Sequence, residues 1–156
     1  MNLWLFPGMS SPTDVEVTSD AAGSLGFGAY YNSECAWMPS QADRSIAYKE
    51  LFPVVVASHV WGPQWSGRHI LFQCDNEAVV HILIARTSTV PCITCLLCHL
   101  LSAAARFNFT FTSQHIPGIH NNMLMLFRAL VGRNSGGWCP RHSFTRCQSF
   151  LNSGSS

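Results

Sequence analysis

Charge is what this chain has least of. Only 11% of its 156 residues are charged against 47% hydrophobic, so a core is plentiful and the surface is thinly charged. It also lacks any apolar run of membrane-spanning length, because His, Pro, Gly or Arg interrupts each long stretch; a spanning helix is excluded. Met1 to Pro7 is too short for the core of a signal peptide and has no basic start, so an intracellular location is expected, in no particular compartment. The seven cysteines show no framework spacing and read as reduced thiols. No internal repeat is present. Most telling, no Asp or Glu follows Glu77. Eight acidic residues and only Arg44, Lys49 and Arg68 lie up to that point, whereas six Arg lie beyond it. A basic C-terminal half would ordinarily suggest nucleic acid.

The length suits one domain. Residues 1–13 read as an irregular leader with Pro7, Gly8 and Pro12. Asp14 to Ser19 alternates as a strand that ends at Asp20, and Leu25–Tyr31 and Glu34–Met38 follow as strands joined by short turns, an antiparallel meander. A helix is expected from Arg44 to Trp61, stopped by Gly62-Pro63, with Ala47, Leu51, Val54 or Val55, and Ser58 on its inner face. Pro53 lies inside it and predicts a kink or a loosened first half. Ile70-Leu71-Phe72-Gln73-Cys74 then reads as a buried strand that delivers Asp75 to the open end of a sheet. Helices over Asn76–Ala85 and Cys92–Ala105 and a fifth strand over Phe107–His115 complete the order β-β-β-α-β-α-α-β, which predicts an α/β fold with a mixed sheet.

Three carboxylates fall at places where such a fold can gather them: Asp20 at a strand end, Glu50 in the long helix and Asp75 at another strand end. Converging carboxylates resist joint ionisation unless a cation lies among them. Hard oxygen ligands suit Mg²⁺ or Mn²⁺, and such a site supports two-metal phosphodiester hydrolysis. Plainer readings stand beside this one: Asp75 as a helix N-cap, Glu50 as a solvated helix residue and Asp20 as a turn residue.

Ser19-Asp20-Ala21, Lys49-Glu50-Leu51, Cys74-Asp75-Asn76 and His115-Ile116-Pro117-Gly118-Ile119-His120-Asn121 resemble the successive motifs of the ribonuclease H domain of retroelement reverse transcriptases. The strings around Trp61-Gly62, Trp65-Ser66-Gly67 and Val79-Val80-His81-Ile82-Leu83 are most similar to those of DIRS-like retrotransposons. Several motifs in one order are more specific than any single triplet. The resemblance covers residues 14–122. It implies a ribonuclease H-like mixed five-stranded sheet with flanking helices. It further implies Mg²⁺ (or Mn²⁺) held by Asp20, Glu50 and Asp75, an RNA–DNA hybrid as substrate, and origin in a larger reverse transcriptase polyprotein. Asn76 and His120 are candidate auxiliary residues, His120 in product release or proton transfer, with stabilisation of its turn as the alternative role. Such enzymes read the hybrid by its shape and 2′-hydroxyls.

After the His-x-Pro-Gly motif the family continues with a helix similar to M-A-D-A-L-S-R, whose Asp is the fourth metal ligand. This chain instead reads Met123-Leu124-Met125-Leu126-Phe127-Arg128-Ala129. Deleting one G after the ATG of ATG GCT GAT GCT CTT TCG CG leaves ATG CTG ATG CTC TTT CGC G, which translates as Met-Leu-Met-Leu-Phe-Arg. Residues 123–156 are therefore expected to be an out-of-frame, poorly ordered tail that replaces the last helix. The alternative is true divergence of that helix. Without the tail the chain holds five bases and eight acids, a net charge of −3, so no basic patch remains.

Cys92, Cys95, Cys98 and His99 invite a zinc reading, but positions three apart spread around a helix, and closed zinc sites usually draw on two elements. Buried structural thiols are expected there instead. Cys139, His142 and Cys147 could add a second pair, but they fall in the tail.

Overall fold

The computed structural model describes residues 13–22, 26–32, 34–38 and 44–117. Residues 1–12 of the leader, His120 and all of residues 123–156 lie outside them. Five strands form one sheet in the order β3-β2-β1-β4-β5: β1 (Val15–Ala22), β2 (Gly26–Tyr31), β3 (Glu34–Met38), β4 (His69–Cys74) and β5 (Thr110–His115). β1 to β3 make the expected antiparallel meander, and β4 and β5 add in parallel on the far side of β1. Three helices connect them: α1 (Ile46–Val60), α2 (Glu77–Ala85) and α3 (Pro91–Phe107). The expected element order and the mixed sheet are both present. None of the described helices is long and apolar enough to cross a membrane.

Strand parity sets the layers. Val15, Val17 and Ser19 of β1, Ile70, Phe72 and Cys74 of β4, and Phe111 and Ser113 of β5 are all buried, and they share one face through the parallel registers. The alternate positions Glu16, Thr18, Leu71, Gln73 and Thr112 are half-buried or exposed. At one end the register is clamped by Asp14, whose amide donates to the His69 carbonyl at 3.0 Å and whose Oδ2 accepts from the His69 amide at 2.9 Å. Farther along, Thr18 Oγ1 donates to Gln73 Oε1 at 3.2 Å.

α1 departs from the expected one-faced helix. Every residue from Glu50 to Ser58 is buried, because α1 packs against β1 and β2 on one side and α3 on the other. A Val-rich, all-round apolar run is what a helix enclosed on two sides requires. It starts two residues later than expected, behind Ser45, whose Oγ accepts from the Tyr48 amide at 3.3 Å. It runs unbroken through Pro53. After it, a 3₁₀ turn over Gly62–Trp65 carries the chain toward β4.

Two further boundaries move. β1 continues through Asp20 to Ala22, because β2 pairs with it antiparallel beyond the point where β4 stops, so Asp20 lies inside the strand. Phe107 ends α3 instead of opening β5: Asn108 takes the left-handed conformation, φ 56°, and closes the helix, and β5 begins at Thr110. The face of α3 turned inward is Ile93, Leu96, Leu97, Leu100 and Ala103, a clean helical spacing. That spacing leaves Cys95 and Cys98 exposed and Cys92 half-buried, which corrects the expectation of buried thiols.

Trp65 sits where the layers meet. It is fully buried, edge-on to Tyr31 (5.6 Å between ring centroids) and to Phe109 (5.3 Å), with Phe72 at 6.1 Å. Aromatic pairs in this geometry add to the area they bury. Trp65→Ala is expected to cost about 3–5 kcal/mol, whereas Leu101→Ala, 37% exposed, is expected to stay within about 0.5 kcal/mol. Urea denaturation of both variants measures the difference.

Candidate metal centre

The site is built by register. Along the parallel β1–β4 pair, Val15 faces Ile70 and Thr18 faces Gln73, a constant offset of 55 residues. Carried past the last paired position, that offset sets Ser19 level with Cys74 and Asp20 level with Asp75. β1 is also where the chain changes direction across the sheet: β2 and β3 add on one side of it, β4 and β5 on the other. The carboxyl ends of the strands flanking such a switch point form the natural crevice of an open α/β sheet. Asp20 and Asp75 stand on its two sides.

Asp75 is not the cap of α2. Asn76 is: its Oδ1 accepts from the Val79 amide at 3.3 Å, which leaves the Asp75 carboxyl out of the helix start. Asp75 is held through its backbone, its carbonyl accepting from His115 Nε2 at 3.0 Å across to β5. On this side Asn76 contributes a structural role, and His120 lies outside the described residues.

Glu50 comes in from α1 and is only 4% exposed. Its Oε2 accepts from the Cys74 thiol at a donor–acceptor distance of 3.7 Å. Burial, then the neighbouring charges of Asp75 and Asp20, push its pKa up to about 8. The plainer reading of Glu50 as a solvated helix residue is therefore wrong. The same interactions tie Asp20, Glu50 and Asp75 into one electrostatic cluster. Glu50, Cys74 and Asp75 each offer one ligand atom, and these atoms lie within 4.8 Å of one another. A buried carboxyl facing two further carboxylates is a donor set that fits a divalent cation, since added positive charge relieves both the burial and the repulsion.

Cys74 and Ser19 had no role in the sequence. Cys74 is fully buried, and burial first, then the Glu50 charge, push its thiol up to about 12. Its sulfur also accepts from the Asn76 amide at 3.4 Å. Ser19 is 1% exposed, and its hydroxyl has no hydrogen-bond partner among the described residues. The signal for both was present in the strand parity: they fall in phase with Val15, Val17, Ile70 and Phe72, hence on the face toward α1. Among the described residues Cys92, Cys95 and Cys98 form no metal-ligating group.

No protein-family model matches the chain, and no curated protein sequence does. Solved structures do match in fold. A ribonuclease H1 isolated from compost by a metagenomic approach aligns with a TM-score of 0.56 at 13% identity, over 76% of this chain and 96% of that one. The same enzyme in complex with an RNA/DNA hybrid gives 0.54 at 14% identity, over 70% and 90%. The N-terminal ribonuclease H domain of a Mycobacterium tuberculosis protein gives 0.51 at 13%, over 70% and 88%. The chain has a ribonuclease H-like fold.

The Glu50 carboxyl makes stability depend on pH with a definite sign. The unfolded chain releases this proton near pH 4.5 and the folded one near 8, so folding takes up a proton between those values. Stability without added metal should be highest at the acidic end of that window and fall toward pH 8. The groups that face Glu50 are Asp75, Asp20 and Cys74, and the thiol adds a loss of the same sign only above pH 9. Glu50→Gln should flatten the profile. Thermal melts at pH 5 and pH 8 read the effect; a wild-type melting temperature that rises across the window would contradict it.

Proposed function

We propose that this chain is a ribonuclease H-type endonuclease domain, spanning residues 14–122, that hydrolyses the RNA strand of RNA–DNA hybrids by two-metal catalysis with Mg²⁺ or Mn²⁺. The observation that supports the reading is the buried Glu50, with Asp75 and Asp20 as its charged neighbours beside the switch point of the sheet and Asp75 within ligand spacing of it. The solved structure of similar fold with an RNA/DNA hybrid bound supports the substrate class. Asp20, Glu50 and Asp75 would hold the cations. When bound, these supply charge neutralisation at the phosphoryl oxygens and ease ionisation of the attacking water. The chain's own part is to hold three acidic groups at one strand end against their repulsion, through the β1–β4 register, the enclosure of α1 and the Asn76 cap.

The domain derives, on this reading, from the reverse transcriptase polyprotein of a DIRS-like retrotransposon. Residues 123–156 are the translation of a frame shifted by one nucleotide near Met123. A catalytically inactive, nucleic-acid-binding remnant is the second reading, and one observation favours it: no Asp or Glu exists after Glu77 to complete the carboxylate set.

Cleavage of a labelled RNA–DNA hybrid in Mg²⁺ tests both, with the chain assayed beside a version whose residues from Met123 are restored to M-A-D-A-L-S-R in frame. The restored version should cleave at least about 10²-fold faster, the scale of losing one electrostatic stabiliser, and Asp75→Asn in it should remove that gain. Equal rates would overturn the reading of the tail, and no cleavage by either would sink the nuclease. Independently, the nucleotides coding for Asn121 to Leu130 should read ATG CTG ATG CTC TTT CG from Met123 onward. A different set of codons there removes the frameshift.

A further inference from the structure

Cys74 gives the site a character that carboxylates alone would not. Its sulfur is fully buried, 3.7 Å from Glu50 Oε2. A tetrahedral ion with bonds of about 2.0 Å to oxygen and about 2.3 Å to sulfur separates those two ligands by about 3.5 Å. The pair is therefore nearly at coordination spacing already. The third ligand atom, from Asp75, is within the same 4.8 Å cluster. Asp75 is half-buried, so the cluster is reached from its side.

Ser19 supplies the independent sign of a ligand. It is level with Cys74 on the neighbouring strand and on the same face, and it is almost wholly enclosed. Its hydroxyl makes no hydrogen bond of good geometry among the described residues, and the Cys74 sulfur beside it is only a weak acceptor as a thiol. A buried donor without an acceptor costs free energy. A metal-bound thiolate would give it one.

Hard cations take oxygen ligands, whereas a thiolate selects for zinc and its heavier congener. We infer that Glu50, Cys74 and Asp75 form a binding site for a thiophilic divalent cation of the zinc and cadmium class, with the Ser19 hydroxyl donating to the bound sulfur. On binding, one metal–sulfur and two metal–oxygen bonds form, and the protons held by the Cys74 thiol and the Glu50 carboxyl pass to solvent; nothing is oxidised or reduced. Because Glu50 and Asp75 are shared, this cation excludes Mg²⁺ from them. That last consequence rests on the nuclease reading, but the binding itself does not.

Titration of the full chain with Cd²⁺ in the presence of Mg²⁺, followed by the thiolate-to-cadmium charge-transfer band, tests the site. Wild type and a Cys95→Ser/Cys98→Ser double variant should both show one tight equivalent. Cys74→Ser should lose it, and Ser19→Ala should bind about 10-fold more weakly, the usual lower bound for removing a group that orients a ligand. Far-UV circular dichroism checks each fold. Should Cys74→Ser be unfolded, Ser19→Ala, which keeps the thiol, decides. Unchanged tight binding in Cys74→Ser, or in Ser19→Ala if only that variant folds, overturns the inference. Hybrid cleavage in Mg²⁺ is measured separately, on cadmium-free protein, for the chain and for the version restored from Met123. A Cys74-dependent band with no cleavage by either leaves the site and removes the nuclease, whereas cleavage without the band does the reverse.

Discussion

A single buried carboxyl sets the terms for everything around it. Glu50 is enclosed by the sheet and α1, with Asp75 and Asp20 as its charged neighbours and Cys74 as its hydrogen-bond donor. An acid in that position is held in one of two ways: it keeps its proton, or it shares a cation. The surrounding architecture makes both available. α1 is buried from Glu50 to Ser58, so Glu50 has no open path to solvent along its own helix. The parallel register holds β1 and β4 at a fixed offset, so the neighbouring carboxyls cannot drift apart. The fold thereby stores at one strand end a preference for positive charge.

Division of labour between adjacent residues keeps the site usable. In Cys74-Asp75-Asn76 the first side chain faces inward to Glu50, and the third satisfies the start of α2. The middle one is left with its carboxyl uncommitted to the helix, while its carbonyl is held by His115. Had Asp75 capped α2, the helix would have formed equally well and the cluster would have lost a member. A three-residue string thus serves core, site and helix start in turn.

Much of this was legible in the sequence, and the failures have identifiable causes. Period-two alternation and turn residues mark the succession of strands along the chain, and the apolar runs mark the helices, because those signals are local; the order of the strands within the sheet is not a local property. Ala21-Ala22-Gly23 reads as a turn and sets the strand end at Asp20; pairing with β2 carries the strand on to Ala22, and that pairing is not local. Phe107 falls in the alternating Phe-x-Phe-x-Phe run, whereas the left-handed Asn108 makes it the end of the preceding helix. Apolar composition suggests buried cysteines in α3, but the Ile93, Leu96, Leu97, Leu100 spacing excludes Cys95 and Cys98 from the inner face. The gathering of Asp20, Glu50 and Asp75 followed from topology; the part played by Cys74 and Ser19 needed the register itself.

The 55-residue offset between β1 and β4 has a further consequence, for the order in which the protein is made. β1, β2 and β3 can pair as soon as they emerge, but β1 then presents its other edge unpaired until α1 and β4 have been synthesised. Closing a contact of such separation is slow relative to hairpin formation. During that interval the β1 edge is a template for any strand at hand, including the meander of another copy. The edge that later receives β4 is thus also the place where a nascent chain is most exposed to pairing with the wrong partner.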